Sequence, residues 1–345
     1  MNTSSVRERI SLIAFAAAML VSLPLVMGFF SSAHPALDSL AHFRLHLAVV
    51  MIVAAALSLV GSMWRQGLAA ILFGVAAIAT TQGVQIHPAF GQVHAAFQPR
   101  DETAPVYRLL QLNLRFDNAE PGKVLSLIGR VRPDILTLEE VSSRWAQKLD
   151  LLADAYPHRI VCRPERRGWG VAILSMRPFA ADPQCIIGGV LATASIDLNG
   201  TPVEIGALHL HWPWPFDQAS QIDDLLAPLG ALPDTALLAG DLNAAPWSHS
   251  ARRIAGAGAF QPVRISGPTW LYQRLPEALR FTGLPIDQVF AKGGVTPHSA
   301  RTLEAVGSDH LPILVEFSLQ RSEETPESEQ PPVTVVNRLP TPHQG

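Results

Sequence analysis

The 345-residue chain predicts an α/β fold, with mixed sheets covered by helices and three transmembrane helices ahead of them. Three observations carry that prediction. Uncharged apolar runs crowd the first quarter of the chain. From about residue 106 to 319, short apolar stretches of strand character alternate with stretches of helical spacing. One pair of strands is joined by Asn199-Gly200, a tight-hairpin signal, so the sheets cannot be purely parallel.

The N-terminal runs are Ile10 to Phe30, Leu45 to Met63 and Leu68 to Val84. Hydrophobic residues make up 48% of the chain and charged ones only 16%, with a mean hydropathy of +0.21, so part of the chain is expected in lipid. Each run suits a helix crossing a hydrocarbon core of about 30 Å. The expectation is a membrane region over 1–84 with spans at about 10–30, 45–63 and 68–84. A signal peptide opening on Arg7 and Arg9 is the alternative for the first run, and a buried soluble helix for the third. Arg7, Arg9 and Arg65 fall on one side of these spans and Arg44 on the other. That balance puts the N-terminus in the cytoplasm and the large C-terminal part outside it. The expected location is therefore the cell (inner) membrane, multi-pass, with the soluble part on the extracytoplasmic side.

Residues 85–105 read as a linker and 106–319 as the folded domain. Residues 320–345, rich in Glu, Pro, Ser and Thr, read as a disordered tail. The formal charge of −3 gives no sign of strong attraction to nucleic acid. The two cysteines, Cys162 and Cys185, could pair in an oxidising space or stay as two buried thiols. No Cys/His spacing suggests structural zinc, and nothing implies an obligate protein partner.

Within the domain, Val106 to Leu114 reads as the first strand. Val124, Leu127, Ile128 and Val131 have helical spacing, and Arg132-Pro133-Asp134 ends that helix. Ile135 to Leu138 is the next strand, followed by a helix capped by Ser142 or Ser143 and running to about Ala155. Val171 to Leu174 is a short buried strand. Leu191 to Leu198 and Val203 to Leu210 flank the hairpin turn. Asp217 to Ala227 is helical, with Pro228 as its stop. Strands follow at Ala236 to Ala239, Ile286 to Ala291 and Leu311 to Leu319.

The chemistry-bearing residues fall at the ends of these strands. Asn113 closes the first strand. Glu139-Glu140 follows the second, and since adjacent strand residues face opposite ways, one of the two acids is expected to point into a site. His209 and His211 would share a face if their strand continues. Asp241 and Asn243, in Gly240-Asp241-Leu242-Asn243, should point the same way. Asp287 lies in Ile286-Asp287-Gln288. Asp309 and His310, in Ser308-Asp309-His310, precede the last strand, and an acid on a neighbouring strand, Asp287, could orient the imidazole. Each of these residues taken alone is more often structural. Together, strand-end acids, amides and imidazoles suit water attack on a phosphate ester beside a hard cation such as Mg²⁺, which binds through oxygen ligands.

In this order the blocks resemble the endonuclease/exonuclease/phosphatase superfamily, the deoxyribonuclease I-like proteins, over about 106–319. The resemblance implies a four-layer sandwich of two packed mixed β-sheets flanked by helices. It implies Asn113, Glu140 and Asp309 at a Mg²⁺ site, with Mn²⁺ as an alternative ion, and His209, Asp241, Asn243, Asp287 and His310 as catalytic residues. Asp241 would activate water. Glu139 stands where that family usually has Gln, which leaves the choice between the two acids open. The implied activity is metal-dependent hydrolysis of phosphate esters, a phosphodiesterase first, on a lipid, nucleic-acid or small-molecule substrate. A nuclease acting on DNA or RNA, and an inactive membrane-tethered binding domain, are the alternatives. Trp212, Trp214 and Trp247 could line the substrate mouth, although core packing or surface patching is the commoner role for any single one of them.

Overall fold

The structure, a computed structural model, describes residues 3–83, 94–163 and 168–320. Residues 85–93 of the expected linker and 321–345 of the expected tail lie outside these residues. The chain opens with four helices, α1 (Thr3–Met27), α2 (Pro35–His42), α3 (Arg44–Ser58) and α4 (Trp64–Thr81). In the rest, strands and helices alternate: β1 (Tyr107–Asn113), α5 (Pro121–Val131), β2 (Ile135–Val141), α6 (Ser143–Leu149), β3 (His158–Cys162), β4 (Gly170–Ser175), β5 (Gln184–Ile186), β6 (Leu191–Leu198), β7 (Thr201–His209), α7 (Gln218–Gly230), β8 (Ala236–Asp241), α8 (His249–Ala257), β9 (Gln261–Pro262), β10 (Asp287–Lys292), β11 (Val295–Thr302) and β12 (Ile313–Leu319).

The strands form two mixed six-stranded sheets, ordered β11-β12-β1-β2-β4-β3 and β5-β6-β7-β8-β10-β9. One apolar core lies between them, built from alternate residues such as Leu109, Ile135, Ile205, Leu237 and Val289. The opposite faces are covered separately. Val124, Leu127 and Ile128 of α5 and Trp145 of α6 pack on the first sheet. Ile222, Leu225 and Leu229 of α7, with Ala251 and Ile254 of α8, pack on the second. Helix, sheet, sheet and helix are the four layers expected. The Asn199-Gly200 hairpin forms as read, with both residues at positive φ. Helix α7 runs through Pro228 to Gly230, because a proline in the last turn forfeits only its own hydrogen bond. Cys162 and Cys185 are joined in a disulfide with a Cα–Cα distance of 5.4 Å, which ties β3 of one sheet to β5 of the other.

The three expected spans are corrected to one. Among the described residues, Ser4–Phe30 is the helix long and apolar enough to cross a membrane, a property it shares with signal sequences. The second run breaks at the turn around Gly61, which lets the chain pass against Ser11 of α1. That leaves α3 with 15 residues, about 22 Å at 1.5 Å per residue, short of a bilayer core. Counted with α2, from which it bends by 62°, it makes at most a second candidate. The third run begins its helix with Trp64-Arg65-Gln66, so its apolar part is shorter still. A multi-pass arrangement therefore lacks support. The helices meet through small residues, Ala18, Ala48, Ala55, Ala70 and Ala77, while Ile13, Leu20, Val53, Leu57 and Leu72 point outward.

The helical region is bolted to the sandwich by polar contacts. Both carboxylate oxygens of Asp38 on α2 accept from the N-terminus of α8: from the His249 amide at 2.6 Å, the Ser250 amide at 2.9 Å and the Ser250 hydroxyl at 2.7 Å. Trp247 Nε1 donates to the Ala41 carbonyl, Arg252 to the Ser31 hydroxyl, and the Ser39 hydroxyl to the Trp214 carbonyl.

Candidate active site

Side chains alternate along a strand, so one face of each strand can be followed residue by residue. The inward face reads Leu109, Gln111, Asn113 on β1 and Ile135, Thr137, Glu139 on β2. It reads Ile205, Ala207, His209 on β7 and Leu237, Ala239, Asp241 on β8. On β10, which runs the other way, it reads Ala291, Val289, Asp287. Five strands change from apolar to polar at the same end of the core. The pairing aligns them, with Asn113 opposite Glu139, His209 opposite Asp241 and Asp241 opposite Asp287. Gly240 is required here: a Cβ would sit 1.8 Å from the Leu208 carbonyl oxygen.

His310 enters from the segment before β12. Its Nδ1 is 2.8 Å from Asp287 Oδ2, and its Nε2 is 3.7 Å from Asp241 Oδ2. His209 Nε2 lies 3.7 Å from the same Asp241 oxygen, so that carboxylate sits between two imidazoles. Asn113 Nδ2 donates to Asp241 Oδ2 at 3.0 Å, and the Asn243 amide donates to Oδ1 at 2.8 Å. The Ser308 hydroxyl donates to the Asn113 carbonyl at 2.7 Å and accepts the His310 amide, locking the two loops together.

Burial and neighbouring charge set the two imidazoles apart. Burial alone would lower His310, but the carboxylates of Asp287 and Asp241 outweigh it and hold the ring protonated, up to about 10. Burial, with His310 nearby, pushes His209 down to about 4, so that ring is neutral. Burial raises Asp241, against the pull of His310. Burial also raises Glu139 well above the carboxylate range, and Asp287 adds repulsion.

Sequence reasoning placed one of the two glutamates in the site, whereas the structure places both there. Leu138 pairs with Ala172 and Val141 with Gly170, so one extra residue sits in β2 as a bulge, with Glu140 at φ 54°. Glu139 continues the inward face and accepts from Gln111 at 2.8 Å. Glu140, the extra residue, accepts from Asn113 Nδ2 at 3.3 Å and from the Phe116 amide at 2.9 Å. Asn243 also differs from expectation. The chain turns to positive φ there, and its side-chain amide donates to the Leu210 carbonyl, so its backbone N–H rather than its side chain meets Asp241. Asp309 is half-buried and accepts from Trp270 Nε1 at 3.2 Å. His211 lies past the end of β7 and binds Asp217. Trp247 is buried against α2 rather than at the mouth. Trp212 and Trp214 are exposed, and Trp212 meets Trp270 edge-on. Sequence reasoning missed Gln111, although it sits two residues before Asn113 on the same face. Ser308, read only as part of Ser308-Asp309-His310, and Trp270 are further partners of the site.

The donor set fits a divalent cation. Glu139, Asp241 and Asp287 bring three buried carboxylates together against one cationic ring, and Glu139 Oε1 and Gln111 Oε1 have no hydrogen-bond partner. Atoms of Asp241, Asp287 and His310 lie within 4.8 Å of one another, a grouping that could hold a metal ion. The Asp287–His310 hydrogen bond already occupies that grouping, and a hard cation prefers oxygen, so the Glu140 side is the better fit. Burial raises the Glu140 carboxyl, and Asp309 adds like charge, a repulsion that a cation would relieve.

Residues 110–310 match the Endonuclease/Exonuclease/phosphatase family. The chain belongs to this family. The UPF0294 protein of Vibrio vulnificus (strain YJ016) is 35% identical over 105 residues, which are 29% of this chain and 33% of that protein, so the alignment spans a third of the relative's length. An endonuclease/exonuclease/phosphatase from Beutenbergia cavernae DSM 12333 superposes with a TM-score of 0.50 at 20% identity, covering 62% of this chain and 72% of that one. One from Bacteroides vulgatus gives 0.53 at 16%, covering 63% and 100%. D. rerio TDP2 complexed with single strand DNA product gives 0.51 at 17%, covering 62% and 99%. At these identities the solved structures share the fold.

Proposed function

We propose that this chain hydrolyses phosphate esters, phosphodiesters first, by attack of a water molecule, with Mg²⁺, or Mn²⁺ in its place, as the resident cation. The observation that supports this most is the placement of Asp241 between a cationic and a neutral imidazole at the polar end of the sandwich core. A bound cation supplies charge neutralisation on the phosphate. Glu140, Asn113 and Asp309 are the residues that would hold it.

The remaining roles follow from the hydrogen bonds. Asp287 fixes His310 through Nδ1, leaving Nε2–H to donate to a phosphate oxygen as negative charge builds there. Asp241 accepts the proton of the attacking water, and Asn113 and the Asn243 amide fix its two oxygens in place. His209, neutral, offers a second hydrogen bond without adding charge. The disulfide supports an oxidising compartment for the sandwich, on the far side of the membrane if Ser4–Phe30 spans it.

The test uses the full chain against bis-(p-nitrophenyl) phosphate, sphingomyelin, phosphatidylinositol phosphates, single-stranded DNA and RNA. Turnover with Mg²⁺ that disappears with EDTA and returns with added Mg²⁺ is expected. Metal-independent turnover would remove the cation from the reading. Turnover of DNA or RNA alone would make the chain a nuclease. No turnover of any ester would leave a binding domain.

A further inference from the structure

A cavity of about 440 Å³ lies between the helical region and the sandwich. Leu45, Val49 and Val50 of α3 form one wall, and Trp247, Ile265 and Phe281 form the other. Its floor is Asp287 and Gln288, so it ends at the residue that holds His310. The volume falls within the ~300–1,000 Å³ of pockets that bury small ligands.

Two further observations say what occupies it. Val49, Val53 and Leu57 are spaced four apart on α3, so they share a helix face, and all three are more than two-fifths exposed. This apolar rail runs from the cavity along the face that α3 turns outward, and Phe281, 71% exposed, stands at the rim. Some polar groups at the cavity are engaged, His46 Nε2 donating to the Thr282 carbonyl and Arg264 to the Gln82 carbonyl, while His46 Nδ1 and Gln288 Oε1 have no partner. The exposed lining is mainly aliphatic and aromatic, which suits a hydrocarbon chain better than an anionic polymer. The helix that forms this wall, α3, packs on the apolar Ser4–Phe30 segment through Ala48 and Met51. Arg252 binds Ser31, the residue after the apolar Ser4–Phe30 segment, with no spacer between that segment and the sandwich.

We propose that this cavity is a hydrocarbon-chain site and that the substrate is a phosphate ester of a lipid. The chain lies between α3 and the sandwich, and the phosphate reaches His310 and Asp241. The proposal rests on the reading of the site given under Proposed function.

The test uses full-length protein in amphipol with Mg²⁺ and a series of monomeric alkyl p-nitrophenyl phosphodiesters, from methyl to octyl. The apolar walls predict that kcat/KM rises at least about tenfold from methyl to octyl, since each buried methylene favours binding. Val49→Trp, a change at an exposed helix position that narrows the cavity, is expected to erase most of that octyl-to-methyl ratio. A second readout needs no turnover: a bromoalkyl phosphate should quench wild-type tryptophan fluorescence more than that of Trp247→Phe. A flat kcat/KM across the series, or equal quenching in the two proteins, overturns the hydrocarbon site while methyl-ester turnover upholds the catalytic reading. No turnover of any diester overturns the catalytic reading, and this proposal with it.

Discussion

Asp38 and Glu139 are both buried carboxylates, in two regions that treat charge in opposite ways. Asp38, on α2, accepts three hydrogen bonds from the N-terminus of α8, where the helix dipole also favours an anion. Glu139, in the active site, has one bond from Gln111, an unpartnered oxygen, and two further carboxylates nearby. The first arrangement is closed and holds the helical region against the sandwich. The second is open, and its imbalance is what a cation or a charged substrate would relieve. A buried polar group with all its partners marks structure, and one lacking them marks a place for a ligand.

The comparison is broken most severely from the site's side. Asp241→Asn or His310→Gln is expected to lower kcat about a thousandfold or more, because each removes a group proposed to act on the reacting atoms. Steady-state rates on the best ester of the panel, with circular dichroism to confirm folding, measure it. A loss under tenfold in either variant would contradict the assignment.

Glu139→Gln sharpens the comparison by giving two opposite effects. Mg²⁺ affinity should fall about 10–100-fold, as for residues that support metal ligands. The metal-free protein should become more stable. Glu139 is raised in the fold, so the folded chain holds its proton at pH values where the unfolded chain has released it. Stability therefore falls as pH rises from the usual carboxylate range toward the raised value, and stays lower above it. The substitution should flatten that fall in thermal melts taken across pH with EDTA present. Melts that are unchanged, or a destabilised variant, would show that the charge is compensated in some other way.

Asp38→Ala should have the smallest effect on activity and the opposite sign on stability. It leaves the α8 N-terminus without its acceptor, at about 0.5–2 kcal/mol. Hydrogen exchange at the His249 and Ser250 amides should quicken, while turnover of the methyl diester changes less than threefold. Unaltered exchange at those two amides would mean that Asp38 does not secure the helical region.

Much of the sandwich is legible in the sequence because its strands alternate or are wholly apolar. β1, β2, the hairpin strands and β10 could be placed from Leu109, Ile135, Asn199 and Val289 without tertiary knowledge. The elements missed are those whose reasons lie elsewhere in the fold. β11 is a polar edge strand with a bulge at Pro297. α8 carries few apolar residues and owes its start to Ser248 and Asp38. The helix breaks in the N-terminal region follow from the packing of Gly61 on Ser11, which hydropathy along the chain does not encode. At the site, Asn113, His209, Asp241, Asp287 and His310 converge because each is strand-end chemistry. Glu139 was underrated because alternation along an unbroken strand allows only one of two neighbouring acids to face inward.

The bulge in β2 gives that last point an evolutionary form. It is one residue of surplus length, and it lets a strand show two consecutive acids on one side. Deleting a single codon at 139–140 would restore unbroken pairing with β4 and leave Leu138 and Val141 adjacent to one acid instead of two. The negative charge of the site can thus be changed by insertion or deletion with no substitution at all. Gain or loss of this residue would change the number of acids at this end of the core while every other strand kept its register.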